Sequence, residues 1–179
     1  KDDNNNKDTC TLNVQVNFTP GNNPSSDTIN FKIPTLTADC NGNVDFPILV
    51  ENYKGIASTK LTVFWNKTNL EYQSIVYRNP KLGIQNSDFS LNSNNDSLTM
   101  LWTNSSGQID TLNNNDTLFV AKYKAKSTGN LSFANNFDVS GGNPLAQITK
   151  IKYSNGAVTV SDNTPPTIVC PTDVSVTTS

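Results

Sequence analysis

Residues 44–65 read VDFPILVENYKGIASTKLTVFW, and the apolar side chains of this stretch decide the fold class. Val44–Val50 and Leu61–Trp65 are short runs rich in valine, isoleucine, leucine and aromatic residues. Successive side chains of a strand point to opposite faces of a sheet, so short runs of this composition, bounded by polar and glycine-containing segments, are typical of β-strands. The stretch therefore predicts two strands joined by residues 51–60.

Similar runs extend to both sides of this stretch. They are Leu12–Val16, Ile29–Ile33, Tyr72–Tyr77, Phe89–Leu91, Leu98–Trp102, Leu118–Tyr123, Leu131–Phe133, Ile148–Tyr153 and Ala157–Val160. Turn-forming residues such as Asn41-Gly42 separate them, and no window of helical length shows a 3.6-residue period. About ten short strands at near-regular spacing predict an all-β sandwich or barrel.

The segment Ile148–Val160 carries the strongest local signal. Two alternating runs flank Asn155-Gly156, a dipeptide that favours the left-handed turn of a tight hairpin. The sequence therefore predicts a β-hairpin here.

Composition excludes several functions. Charged residues make up 16% of the chain and the formal net charge is −2, which provides no basic field for nucleic acid or an anionic membrane surface. Histidine is absent, so the usual zinc ligand and the histidine-dependent catalytic triads are missing. No apolar run is long enough to cross a bilayer. These properties predict a protein without catalytic activity.

The two ends differ in composition from the middle. Residues 1–9 are charged and rich in asparagine, which predicts a polar lead-in with nothing to bury. Residues 161–166 (SDNTPP) predict a short, stiff linker, because proline cannot donate to a strand ladder. Thr167–Pro171 and Val174–Val176 then read as the first strands of another body. Asp162 and Asn163 are candidate calcium ligands beside the linker, and a plain solvated turn is the alternative.

The cysteine count is odd, with Cys10, Cys40 and Cys170. In an exported protein this predicts one internal disulfide and one cysteine whose partner lies outside the segment. Three reduced thiols in a cytosolic protein are the alternative.

Six stretches, in order along the chain, resemble a cohesin module of the type found in Bacteroidetes surface proteins. They are Val44–Asn52 (VDFPILVEN), Ile56–Trp65 (IASTKLTVFW), Asn69–Tyr72 (NLEY), Asn115–Lys126 (NDTLFVAKYKAK), Thr128–Asn130 (TGN) and Gly156–Val160 (GAVTV). The resemblance covers about residues 10–160. It implies a jelly-roll or Ig-like antiparallel β-sandwich of about nine strands, whose role is protein–protein docking, to dockerin in the best-known cases.

Residues 162–176 (DNTPPTIVCPTDVSV) are similar to the opening of a hyalin-repeat (HYR) domain, an extracellular adhesion module. In that family the cysteine of the Cys-Pro pair bonds to a later cysteine of the same domain. The resemblance implies that Cys170 is unpaired within the segment and leaves Cys10 to pair with Cys40. The expected organisation is a lead-in at 1–9, a cohesin-like sandwich at 10–161, and a linker with the first strands of a truncated HYR-like domain at 162–179.

Asp followed by Ser or Thr and then by a nonpolar residue or cysteine resembles the O-glycosylation signal of exported Bacteroidetes proteins. The candidate acceptors are Thr9, Thr28, Ser97, Thr111 and Thr117. Aromatic side chains are a second candidate set, for a sugar-binding platform, although residues that alternate in strands belong mostly to the core. This set is Phe64, Trp65, Tyr72, Tyr77, Trp102, Phe119 and Tyr123.

Three functions remain open at this point. The first is a non-catalytic docking or adhesion module of a larger secreted or cell-surface bacterial protein, with a protein partner. The second is a structural subunit of a self-assembling extracellular filament or sheath, in which terminal strands add to the sheet edge of another copy. The third is a carbohydrate-binding module, which an exposed row of aromatic residues on one face would favour.

Overall fold

The computed structural model describes residues 28–104, 110–135, 138–141 and 150–160. These residues form twelve strands and one short 3-10 helix at Asn86–Asp88. The strands are β1 (Thr28–Lys32), β2 (Leu36–Thr37), β3 (Asn43–Glu51), β4 (Ile56–Trp65), β5 (Leu70–Arg78), β6 (Phe89–Leu91), β7 (Ser97–Thr103), β8 (Asp116–Ala125), β9 (Gly129–Phe133), β10 (Asp138–Gly141), β11 (Lys150–Ser154) and β12 (Gly156–Thr159). No helix among these residues is long and apolar enough to cross a membrane.

The strands form two sheets that pack face to face. One sheet has the order β11-β1-β3-β8-β5, and the other has the order β2-β12-β9-β4-β7-β6, with β10 paired to the first half of β4. Most pairs are antiparallel, whereas β1 with β11 and β2 with β12 are parallel. The predicted all-β sandwich is confirmed. The strand count is higher than the expected nine because short strands such as β2 and β10 were not recognised.

The core lies between the sheets and is built from alternate residues of the long strands. In β3, Val44, Phe46, Ile48 and Val50 are all buried, and the residues between them are not. β8 alternates in a similar way beside β3 in the same sheet, and β4 of the other sheet supplies facing side chains. The predicted alternation of apolar and polar side chains therefore places one face of each sheet in the core and the other face toward solvent.

The predicted hairpin at Ile148–Val160 is wrong in the part that the structure describes. β11 pairs with β1 in one sheet, whereas β12 pairs with β9 and β2 in the other sheet, so Asn155-Gly156 connects the two sheets. A Cβ atom on Gly156 would lie 2.4 Å from the Ile33 side chain, and the Asn155 side chain accepts a hydrogen bond from the Phe133 amide at 3.0 Å. Close packing and side-chain bonding explain this dipeptide, and a two-residue turn does not.

Candidate functional site

The outer surface of the five-stranded sheet is broad, regular and accessible. Register across the strands places outward side chains in rows, which run Pro47–Val120–Tyr77, Asp45–Lys122–Ser74 and Asn43–Lys124–Glu71 across β3, β8 and β5. On the other side of β3, further rows run Leu49–Lys32–Ser154 and Glu51–Asn30–Lys152. We call this surface the five-strand face, defined by the side chains of these rows together with Val76 and Lys150.

A group of exposed apolar side chains, which we call the apolar centre, extends from the middle strand β3 to the edge strand β5 of the five-strand face. Val76 is 49% exposed and Tyr77 is 41% exposed, both at the end of β5, and Pro47 and Val120 lie beside them, partly exposed. Two β-bulges in β5, one of them between Ile75 and Tyr77, bring both Val76 and Tyr77 to the surface. Exposed apolar side chains that lie together on a polar surface mark a site that another molecule covers.

A groove of about 830 Å³ runs along this apolar centre. Its apolar walls come from the sheet and from two loops that follow β5 and precede β8, and they are Pro47, Val76, Tyr77, Pro80, Leu112 and Val120. The groove is open to solvent along its length, so it can hold the side chains of a protein surface rather than enclose a small molecule.

Hydrogen bonds hold the loops beside the groove in place. The Asn79 side chain donates to the Thr117 carbonyl oxygen at 2.8 Å and accepts from the Lys81 amide at 3.0 Å. The buried Trp102 indole N–H donates to the Leu82 carbonyl oxygen at 2.8 Å, which ties the same loop to the opposite sheet. The walls of the groove are therefore formed before any partner binds.

Charged side chains surround the apolar centre. Lys32 is paired with Glu51, and Asn30 also donates to Glu51 at 3.0 Å, so these bonds hold the pKa of the Glu51 carboxyl below its usual value. At the opposite corner the Lys126 ammonium lies 2.7 Å from Glu71 and lowers the pKa of that carboxyl in the same way. Both carboxylates are therefore ionised at neutral pH and partly neutralised by lysine.

The cysteine and calcium candidates lie mostly outside the described residues. Cys40 is exposed in the turn between β2 and β3, where the Asp39 carboxylate accepts hydrogen bonds from the amides of Asn41 and Asn43. Cys10, Cys170, Asp162 and Asn163 are not among the described residues. The disulfide Cys10–Cys40, the calcium site and the HYR-like strands remain predictions.

The candidate glycan acceptors have very different accessibility. Thr111 is exposed in the loop before β8, and Thr28 and Thr117 are partly exposed in strands β1 and β8. Ser97 is only 6% exposed at the start of β7, and Thr9 lies outside the described residues. Among the described candidates, Thr111 is the hydroxyl that a modifying enzyme can reach most easily.

The aromatic candidates do not form one platform in the described structure. Trp65, Trp102, Phe119 and Tyr123 are buried in the core, and Tyr72 is half-buried against Trp65 with a ring-centroid distance of 6.0 Å. Phe64 and Tyr77 are each 41% exposed but lie on the outer faces of opposite sheets. The expectation that most of this set belongs to the core is confirmed for the described residues.

Sequence reasoning missed the residues that form the five-strand face. The sequence pattern does not single out Pro47, Val120 or Lys122, because each stands in a run that also supplies core residues. The available signal was the outward phase of that alternation, in which apolar residues stand at positions 47, 49 and 120 where a solvated face would carry polar ones.

Comparisons with known proteins agree with this architecture. The family model for the Cohesin domain matches residues 29–160. The seventh ScaB type I cohesin of Pseudobacteroides cellulosolvens shares 19% identity at a TM-score of 0.61, over 80% of this chain and 98% of that one. The OlpA cohesin of Clostridium thermocellum, solved in complex with the dockerin Doc918, shares 16% identity at a TM-score of 0.61, over 75% and 99%.

A non-cellulosomal cohesin is also similar to this chain. The non-cellulosomal cohesin of the archaeon Archaeoglobus fulgidus shares 15% identity at a TM-score of 0.56, over 76% of this chain and 94% of that one. No curated protein matches the chain. At such identities the solved structures establish the fold alone.

The fold and the exposed face define this chain as a non-catalytic β-sandwich module that binds other proteins. Within that class, the chain belongs to the Cohesin domain family.

Proposed function

We propose that this chain is a dockerin-binding module of a larger secreted or cell-surface bacterial protein, and that the five-strand face is its docking surface. The observation that carries the proposal is the exposed apolar centre at Pro47, Val76, Tyr77 and Val120, beside a groove with fixed walls. Rigid sheet surfaces with a few exposed aromatic and apolar residues are suited to docking, because little conformational entropy is lost on binding.

Three solved relatives support the choice of partner. The cohesin CaCohA2 was solved in complex with CaDoc0917, the third cohesin of ScaC from Acetivibrio cellulolyticus with the ScaB dockerin, and the OlpA cohesin with Doc918. All three share the sandwich architecture with this chain at TM-scores from 0.59 to 0.61. The class of partner is therefore carried over as part of the proposal, and the dockerin that this chain binds is to be found by experiment.

The filament alternative receives less support from the edge strand β5. β5 is an edge strand of the five-stranded sheet, and its two bulges interrupt the regular spacing of backbone donors and acceptors along that edge. Bulges on an edge strand oppose the addition of a further strand. The terminal strands that this alternative requires are outside the described residues.

The carbohydrate alternative lacks the feature that would favour it. A sugar platform needs several aromatic rings on one face, and Tyr77 is the exposed aromatic residue of the five-strand face among the described residues. Phe64 stands on the other sheet, beside small hydroxyl side chains at Ser97 and Ser132.

The experiment is a binding screen of the full chain against a displayed library of the dockerin modules encoded by the source organism, followed by titration calorimetry of each binder. We expect Tyr77→Ala to weaken binding by about 2 kcal/mol or more, because central aromatic residues dominate interface energies. Phe64→Ala is the matched control, since Phe64 is equally exposed at 41% but lies on the opposite sheet, and it should leave the affinity unchanged. A screen without any binder, or equal losses for both variants, would contradict the proposal.

A further inference from the structure

Lysine dominates the charge of the five-strand face. Its rows contain four lysines and three carboxylates, Lys150 adds a fifth lysine, and the carboxylates are Asp45, Glu51 and Glu71. The lysines are Lys32, Lys122, Lys124, Lys150 and Lys152. The face is therefore positive, whereas the whole chain has a formal net charge of −2. The excess of lysine lies beside the apolar groove rather than inside it, because the charged residues that line the groove itself are Asp45, Asp116 and Lys81.

Most of these lysines are not neutralised within the molecule. The ion pairs among the described residues are Lys32–Glu51 and Lys126–Glu71, so two of the three face carboxylates are already occupied. Lys122, Lys150 and Lys152 have no carboxylate in ion-pair contact in the described part of the chain. Three ammonium groups are therefore available to a partner without the loss of an existing pair.

The free lysines lie at different distances from the apolar residues, which extend from β3 to the β5 edge of the face. Lys122 is on β8, one row away from Val120, whereas Lys152 is on β11 at the far corner. Three inter-strand steps separate β8 from β11, and six residues of β3 separate Asp45, which pairs with Lys122, from Glu51 in the row of Lys152. With strand spacings of about 4.8 Å and a rise of about 3.3 Å per residue, the two positions are about 25 Å apart.

We propose that the partner of this face is an acidic protein segment, with apolar side chains for the groove and carboxylates that contact Lys122 beside the groove and the Lys150–Lys152 pair farther across the sheet. The inference rests on the proposed function, because it assigns chemistry to the partner that docks there. A helix of about sixteen residues is about 24 Å long, so one partner helix spans both positions. Such complementarity sets the choice of partner and raises the association rate.

The test uses the full chain and two synthetic helical peptides of sixteen residues. Both peptides carry a Phe-Leu pair about one turn from one end, to match the short distance between Lys122 and Val120, and one has glutamate pairs at its two ends where the other has lysine pairs. Isothermal titration and backbone amide NMR shifts give the affinity and the binding face. We expect the glutamate peptide to bind at least tenfold more tightly, with shifts at Tyr77 and Val120, and to weaken about tenfold between about 50 mM and 500 mM salt.

Charge reversal locates the effect. Lys122→Glu combined with Lys152→Glu should weaken the glutamate peptide about tenfold, because each exposed pair contributes modestly and both are inverted. Lys60→Glu combined with Lys67→Glu is the matched control, since it changes the net charge equally at positions off this face, and it should have no effect. Equal affinity for the two peptides, no binding of the glutamate peptide at about 1 mM, or equal losses in both double variants would overturn the inference.

Failure of this inference and failure of dockerin binding are distinguishable. A dockerin that binds through Tyr77 with an affinity that is insensitive to salt and to Lys122→Glu leaves the proposed function intact and overturns the acidic partner. A glutamate peptide that binds as expected, combined with a dockerin screen without binders, supports the acidic partner and removes dockerin as the class.

Discussion

Two buried tyrosines should differ in how much stability they lose on the same substitution to phenylalanine. Tyr53 and Tyr123 are 0% and 1% exposed, and each ring contacts other aromatic rings of the core. The Tyr53 hydroxyl lies 2.7 Å from the Thr59 hydroxyl, whereas the Tyr123 hydroxyl has no hydrogen-bond partner among the described residues. Changing tyrosine to phenylalanine removes one oxygen and keeps the ring, so the difference between the two sites isolates the hydroxyl.

The magnitude follows from the cost of an unsatisfied buried polar group. Tyr53→Phe leaves the Thr59 hydroxyl, 0% exposed, without its partner, which costs about 1–3 kcal/mol of unfolding free energy. Tyr123→Phe removes a hydroxyl that gained no bond on folding, so the unfolding free energy should stay the same or rise by about 1 kcal/mol. The two variants should therefore differ by about 1–4 kcal/mol in unfolding free energy.

The assay is urea unfolding of the full chain, followed by the fluorescence of the buried Trp65 and Trp102. With a denaturant slope of about 1–3 kcal/mol per molar urea, a difference of this size separates the two urea midpoints by roughly 1 M. Burial raises the pKa of both tyrosines. The unfolding free energy should therefore be independent of their ionisation below about pH 10 and fall as the pH rises above it. Each substitution removes one ionisable hydroxyl, so the fall should be smaller in either variant. If Tyr123→Phe destabilises the protein as much as Tyr53→Phe, the reasoning about the unpaired hydroxyl is refuted.

Two further predictions concern close packing and pH. Gly156→Ala should lower the unfolding free energy by about 1–3 kcal/mol, because the new Cβ would lie 2.4 Å from Ile33. Gly83→Ala meets no atom within 4 Å and should cost about 1 kcal/mol through its φ of +62° alone. Equal urea midpoints for the two variants would contradict this prediction. Glu51→Gln should lower the unfolding free energy at pH 7, because the bond from Lys32 depresses the pKa of Glu51 in the folded state. The difference in unfolding free energy from the unmodified chain should shrink as the pH falls below about 4.5. A difference that persists at pH 3 would argue against the pair.

The strands of the core follow directly from local sequence pattern. Val44, Phe46, Ile48 and Val50 alternate with less buried residues, and that alternation alone assigns both the strand and its inward face. The pattern was sufficient because burying one face of a sheet requires every second side chain to be apolar. β2 could not be found in this way, because two residues are too few to show a period.

The candidate site depends on the register between strands, which the sequence of a single strand does not contain. Pro47, Val120 and Tyr77 are 30 to 73 positions apart along the chain and become one row only through the register of β3, β8 and β5. The bulge before Tyr77 changes which side chains of β5 face outward, and no local rule predicts a bulge at that position. The sequence could suggest a docking module through family resemblance, but it could not say which surface docks.

By itself, the amino-acid sequence determined that this protein is all-β, because the hydrophobic period of each strand is a local property. Only the tertiary structure decided which strands pair, and Asn155-Gly156 shows the reason. The dipeptide has the chemistry of a hairpin turn, yet β11 gains its hydrogen bonds from β1 and β12 gains its own from β9 and β2. Pairing is a competition among all strands of the molecule, so the preference of one turn was outweighed by bonding and packing with strands more than twenty residues away.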